Sequence, residues 1–244
     1  MTELAYMVRE DWGQNGTAMA PSSARIRDWL GAQPSLFAVA DVKKFNDNDG
    51  SADVEVARYL AQGNVNHHVG NIRELRGLAG DRVADVAVVV LHPYEERDCE
   101  ALREVIVAGT LGRVFVLIWS PGDIIRTWLD AQGAVDLHTG AALPAPDPLQ
   151  VAAADLMVNE EYNGLGSGRG KDAVVQLLRA FTRSGYRLDE SDWLRAYFAA
   201  GGSFRHAETI SKFIREMTSG IKHRVKPRFR DEIVDILREE VAAK

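Results

Sequence analysis

The sequence of 244 residues lacks the features that identify several broad classes of protein. It has one cysteine, Cys99, so neither an internal disulfide nor a thiolate zinc site is expected. Its longest apolar runs, Val86–Leu91 and Val114–Trp119, are much shorter than the roughly 20 residues of a membrane-spanning helix. The N-terminus, Met1–Gly13, has no basic segment followed by an apolar one. We therefore expect a cytoplasmic protein that does not act at a membrane.

The composition is that of a globular protein, and the charge is unevenly distributed. Apolar residues make up 46% of the chain and charged residues 26%, which allows a sizeable core. Residues 1–162 carry 13 Lys+Arg against 24 Asp+Glu, a net charge of -11, whereas residues 163–244 carry 16 against 11, a net charge of +5. This asymmetry predicts two domains, the second of which is a candidate for binding polyanions.

Two breaks in the sequence separate the predicted domains. Pro144, Pro146 and Pro148 alternate, which favours an extended backbone, and the segment 163–170 is rich in glycine. We predict an acidic α/β (Rossmann-like) domain over 1–145, a Pro/Gly-rich linker region over 146–170 that contains a short helix, and a basic helical domain over 171–244.

The first domain alternates between apolar runs and amphipathic segments. Val83–Leu91 and Arg113–Trp119 are apolar almost throughout, as expected of strands covered on both faces, and the amphipathic segment Glu95–Ala108 lies between them. Since parallel strands need such crossovers, this pattern predicts a three-layer, mostly parallel sheet. The spacing of apolar residues in Val69–Leu78 predicts a further helix.

The second domain contains a row of alternating cations. Each second residue is basic in the stretch formed by Lys222, Arg224, Lys226, Arg228 and Arg230. In an extended chain these side chains share one face, which predicts an edge strand or wing that faces phosphates. A solvated edge that is kept basic to prevent aggregation is the other interpretation.

The helices before this row predict a small, mainly helical, winged-helix-like domain. Asp189–Ala200 and Phe204–Thr218 are amphipathic and are joined by a turn that contains Gly201 and Gly202. In this interpretation Arg205 and His206 approach base edges. The side chains expected to contact phosphates are Lys212, Arg215, Lys222, Arg224, Lys226, Arg228 and Arg230.

The favoured function is that of a nucleic-acid-binding protein, with DNA favoured over RNA. Its α/β domain would then sense a small-molecule ligand or mediate assembly, and in the second case the protein would be a homo-oligomer. The alternative is an enzyme that acts on a nucleotide or similar small substrate, because Asp41, His92 and Ser120 each follow a predicted strand. Asp41 and His92 are its acid–base candidates. A third hypothesis is a protein-interaction module, in which the basic row docks on an acidic partner or on the first domain.

Three local patterns fail the tests for known sites. Gly164–Lys171 has leucine where a phosphate loop needs its first glycine, and Asp172 replaces the hydroxyl residue. The segment 45–56 has Phe45 and Val56 where a calcium loop needs carboxylates. The histidines at 67, 68 and 138 have no helical ligand spacing, so no metal site is predicted and no cofactor is identified.

Overall fold

The structure is a computed structural model that describes residues 2–9, 19–47, 51–61, 68–79 and 83–243. The chain divides into two compact units, Met1–Leu143 and Pro144–Lys244. With this boundary the first unit carries 13 Lys+Arg against 20 Asp+Glu, and the second carries 16 against 15. The net charge of the second unit is therefore only +1.

The first unit is built on a seven-stranded sheet in the order β3-β2-β4-β5-β1-β6-β7. The strands are β1 (Glu3–Val8), β2 (Ser35–Val39), β3 (His68–Asn71), β4 (Val83–Leu91), β5 (Leu111–Ile118), β6 (Val135–Asp136) and β7 (Ala141–Ala142). All neighbouring strands are parallel except β6 and β7. The prediction of a mostly parallel sheet is confirmed.

Helices cover the sheet because the central strands are apolar on both faces. The helices are α1 (Met19–Leu30), α2 (Val42–Asp47), α3 (Ala52–Ala61), a 3-10 helix (Ile72–Ala79), α4 (Glu96–Val107) and α5 (Ile124–Ala131). On one face, Ile26 of α1 and Val56 of α3 share a core cluster with Met7, Val89 and Leu117 of the strands. Tyr6 points to the opposite face, where its hydroxyl donates a hydrogen bond to Asp130 of α5.

Two features of this unit differ from the sequence-based prediction. Val69–Leu78 is not a single helix, because His68–Asn71 pairs with β2 as an edge strand and only the following residues turn into a 3-10 helix. In addition, β1 lies between β5 and β6, whereas the dinucleotide-binding order places the first strand beside the second. The α/β class is confirmed, and the strand order is a different one.

All regular secondary structure among the described residues of the second unit, 144–243, is helical. Its helices are α6 (Pro148–Val158), a 3-10 turn (Glu161–Asn163), α7 (Gly168–Arg183), α8 (Glu190–Ala199), α9 (Phe204–Thr218) and α10 (Ile233–Ala242). The helix α6 lies within the predicted linker region, and its buried residues include Leu149 and Met157. Edge-to-face contact of Phe181 with Trp193, at 5.1 Å between ring centroids, joins α7 to α8.

The turn between α8 and α9 is fixed by the packing of Tyr197. A Cβ atom on Gly202 would lie 2.4 Å from the Tyr197 ring, so only glycine fits there. The Tyr197 hydroxyl donates to Glu161, and the same carboxylate accepts the backbone N–H and the hydroxyl of Ser203. A carboxylate therefore caps the N-terminus of α9.

The predicted wing is not confirmed. Residues 221–230 follow α9 without regular secondary structure, and no strand occurs among residues 144–243. Pro227 and the anchoring of this segment to a helix, described below, explain why it joins no sheet. Across the described residues, none of the helices combines the length and the apolar character needed to cross a membrane.

Candidate functional sites

The first candidate site is the basic segment, residues 221–230. Its alternating cations, Lys222, Arg224, Lys226, Arg228 and Arg230, are all exposed, and the intervening His223, Val225 and Phe229 are partly buried. The segment thus presents one basic face and one packed face without belonging to a sheet.

Side chains of α7 hold the backbone of the basic segment. The amide oxygen of Gln176 accepts hydrogen bonds from the N–H groups of Arg228 (2.7 Å) and Phe229 (3.0 Å), and its amide nitrogen donates to the Phe229 carbonyl (2.9 Å). Arg179 donates to the carbonyl of His223. The cations are therefore displayed from a backbone that is fixed at two points.

Further cations lie around the packed face of the segment. The His223 ring makes edge contact with Phe213 at 5.3 Å, and its Nε2 lies 3.4 Å from Glu216. Burial lowers the pKa of His223, and the positive charges of Lys171 and Arg179 lower it further against the opposing effect of Glu216. Among the charges that act on the His223 ring, the basic ones, Lys171, Arg179 and Lys212, outnumber the acidic one, Glu216.

Only one cation of the alternating row is paired with a carboxylate among the described residues. Arg228 donates to Glu160. Burial alone would raise the pKa of Glu160, but hydrogen bonds from Arg228 and Asn163 outweigh it and the pKa is lowered. In the described part of the chain, Lys222, Arg224, Lys226 and Arg230 have no carboxylate within 4.0 Å.

The predicted contacts on α9 are less available than those of the basic segment. Arg205 is exposed and His206 is partly buried. Lys212 lies 4.0 Å from Glu216, and the guanidinium of Arg215 pairs with two carboxylates, those of Glu190 (3.2 Å) and Glu208 (2.7 Å).

The second candidate site lies at the carboxyl ends of the strands in the first unit. Asp41 and His92 line one pocket of about 150 Å³, which we call the strand-end pocket, whereas Ser120 is not part of its lining. Asp41 caps α2 by accepting the N–H of Lys44, and Ser120 forms a turn with Asp123. The structure thus brings two of the three predicted residues together.

The partner of His92 is Asp53, which the sequence reasoning did not identify. His92 Nδ1 lies 2.7 Å from Asp53 Oδ1, and Arg9 Nη1 lies 3.4 Å from the same oxygen. The ring of Trp119 packs against both residues that contact Asp53. Its centroid lies 5.0 Å from that of the His92 ring and 4.7 Å from the Arg9 guanidinium. Burial lowers the pKa of Arg9, partly offset by the charges of Asp53 and Glu55.

Two details of His92 set it apart from an ordinary loop residue. Its φ of 49° lies in the left-handed region, and it is the only non-glycine residue there in the described part of the chain. It is 8% exposed, and within the described residues its Nε2 has no hydrogen-bond partner. Strained backbone and unsatisfied buried atoms of this kind occur preferentially at functional sites.

The structure provides no metal site in the residues that it describes. His138 Nε2 lies 2.9 Å from the carbonyl of Val8, which occupies that ring nitrogen. His67 and residues 48–50 of the loop resembling a calcium site lie outside the described residues.

Comparison of this chain with protein-family models, with curated proteins and with solved structures gave no match.

Proposed function

We propose that the second unit binds the phosphate backbone of nucleic acid through the basic segment, with duplex DNA favoured over RNA. The observation that carries the proposal is the outward row of four cations without carboxylate partners in the described part of the chain, on a backbone that Gln176 holds in place. Pre-ordering lowers the conformational entropy lost on binding.

The spacing of the cations suits a phosphate backbone. Alternate residues of an extended chain are about 6.7 Å apart, which is close to twice the axial rise of about 3.4 Å per phosphate along one strand of duplex DNA. The two aromatic rings of the segment, those of His223 and Phe229, belong to its packed side, where both residues are partly buried. Since recognition of single strands relies on exposed rings that stack on bases, the segment favours a duplex.

In this proposal α9 remains the helix that approaches bases, but fewer of its residues contact DNA than the sequence predicts. Arg205 is the candidate for base contact, because it is exposed and has no carboxylate partner among the described residues. Arg215 is engaged by Glu190 and Glu208, so we assign it to the support of α9.

The test is a fluorescence-anisotropy titration of the full chain with labelled duplex DNA, duplex RNA and single-stranded DNA over a range of salt concentrations. Each phosphate neutralised contributes about -0.9 to the slope of log K against log salt, so four contacts predict a slope of about -3.6 on duplex DNA. The variant Arg224→Ala/Lys226→Ala should flatten the slope by about 1.8.

The matched control removes two cations outside the segment, as Arg187→Ala/Arg238→Ala. We expect it to leave the slope within about 0.5 of the native value, since surface charges away from the contact act only through the screened field. Equal losses in the two double variants, or no binding of the native chain at low salt, would show that the basic segment is not a nucleic-acid contact.

A further inference from the structure

The strand-end pocket lies where the connections of the sheet diverge. The connection that leaves β2 runs to β3 on one side, and the connection that leaves β4 runs to β5 on the other, although β2 and β4 are neighbours. Right-handed crossovers then place the two sets of helices on opposite faces, which opens a crevice between these strand ends. Ligands of open α/β sheets bind at such points.

His92 lines the pocket, and its buried ring nitrogen Nε2 has no hydrogen-bond partner among the described residues. In neutral His92 the proton lies on Nδ1, facing Asp53, so Nε2 carries the lone pair. This assignment follows from the 2.7 Å distance between the two side chains. A buried acceptor without a partner is costly, and a hydroxyl or N–H of a ligand would remove that cost.

The other groups at the pocket indicate which ligand would supply that donor. The carboxylate of Asp41 is a second acceptor, and Lys44 brings a positive charge to the same lining. Arg9 lies beside the pocket, where it pairs with the lining residue Asp53 at 3.4 Å. Its side chain is 10% exposed, and this is its single ion pair among the described residues, so its guanidinium retains donors for another anion.

Two aromatic rings stand exposed beside these polar groups. Tyr94, which lines the pocket, is 69% exposed, and Trp119, which contacts His92, is 58% exposed. Exposed rings next to a polar pocket provide stacking surfaces for a planar group. The pocket volume of about 150 Å³ suits one part of a ligand, with the planar part outside against the rings.

We propose that the strand-end pocket binds a ribonucleoside phosphate. The ribose hydroxyls donate to His92 Nε2 and to Asp41, the phosphate faces Arg9 and Lys44, and the base stacks on the exposed rings. Asp53 is a positioning residue, because it holds the His92 tautomer that leaves Nε2 as an acceptor.

The test uses the full chain labelled with ¹⁵N-histidine and titrated with AMP, with 2′,3′-dideoxy-AMP, adenosine and inorganic phosphate as comparison ligands. The His92 resonances are assigned by their loss in His92→Gln. We expect AMP to shift the Nε2 signal, and we expect loss of the hydroxyls or of the phosphate to weaken binding at least tenfold.

The variant Asp53→Asn separates positioning from folding. Its amide can donate to Nδ1 and so favours the opposite tautomer, which the nitrogen spectrum reports without any activity assay. We expect AMP affinity to fall at least tenfold, and Glu55→Gln, which neutralises another carboxylate of α3, to keep AMP affinity within threefold.

Three results would overturn the proposal. They are the absence of a His92 shift at millimolar AMP, equal affinity for AMP and its dideoxy analogue, and binding of inorganic phosphate as tight as that of AMP. The last would indicate a plain anion site.

Discussion

Replacement of Gln176 tests whether the basic segment owes its order to one side chain of α7. Gln176→Ala removes three hydrogen bonds to the backbone of Arg228 and Phe229 and leaves every charge of the segment in place. It therefore separates the order of the segment from its charge.

The expected magnitude follows from the number and the setting of these bonds. A net hydrogen bond contributes about 0.5–1.5 kcal/mol, so three bonds amount to roughly 1.5–4.5 kcal/mol. Gln176 and Phe229 are only partly buried, so water can replace part of the loss, and we expect about 2 kcal/mol for the opening of the segment. At about 1.4 kcal/mol per factor of ten, that is a roughly 30-fold loss of protection.

Amide hydrogen exchange of Arg228 and Phe229, followed by NMR, measures this opening. The control Thr182→Ala alters the same helix but removes only a hydrogen bond to Leu178, within that helix, so protection in the segment should persist. In the DNA titration, Gln176→Ala should weaken affinity without changing the salt slope. Unchanged protection of the two amides would refute the anchoring role of Gln176.

Three further predictions concern the packing inside each unit. Burial raises the pKa of the Cys99 thiol to about 12, so the thiol of the folded protein should resist alkylation by iodoacetamide at pH 8, as measured by mass spectrometry. Because the unfolded thiol ionises near 9.0, the free energy of unfolding should fall as the pH rises from 9.0 to about 12, and Cys99→Ala should diminish that fall. Gly202→Ala forces a Cβ against the Tyr197 ring and should lower the free energy of unfolding, measured by denaturant titration, by about 2–3 kcal/mol. A decrease of less than about 0.5 kcal/mol would contradict this prediction. Arg73→Ala leaves the buried carboxylate of Asp98 without its 2.7 Å partner and should cost about 2–3 kcal/mol, and adding Asp98→Asn should restore part of that loss in the same assay.

The elements that the sequence predicts are those whose burial can be read from the pattern of their own residues. β4, α4 and β5 are recognisable because a strand buried on both faces is apolar throughout and its crossover helix is amphipathic. β3 was missed because it is a four-residue edge strand with a glycine, and its pairing with β2 provides order that its own residues do not encode.

The candidate sites differ in the same way. The two-faced character of the basic segment depends on alternation within nine residues, and the exposure pattern matches it. The Asp53–His92 pair joins a helix to a strand end, and it depends on a strand order that no local pattern contains. The sequence shows Asp53 as an acidic residue in the first turn of α3. Because acidic residues are common in the first turn of helices, this position alone does not identify it as the partner of His92.

The net charge of the second unit and the geometry of its charges lead to different expectations for DNA binding. Asp147, Asp155, Glu160 and Glu161 fall within the unit as the structure divides it, and they reduce its net charge from +5 to +1. All four carboxylates are engaged inside the unit. Asp147 caps α6 and Asp155 accepts a hydrogen bond from Asn159, while Glu160 pairs with Arg228 and Glu161 caps α9.

Charges paired at short range largely cancel at the distance of a bound phosphate, whereas the four cations of the basic segment that have no carboxylate partner within the described residues act together. If net charge governed binding, the salt slope would be about -0.9, as for a single phosphate; if the local row governs it, the slope approaches -3.6. The salt titration therefore decides between the two descriptions, and we expect the steeper dependence because four cations of the basic segment have no carboxylate within 4.0 Å in the described part of the chain.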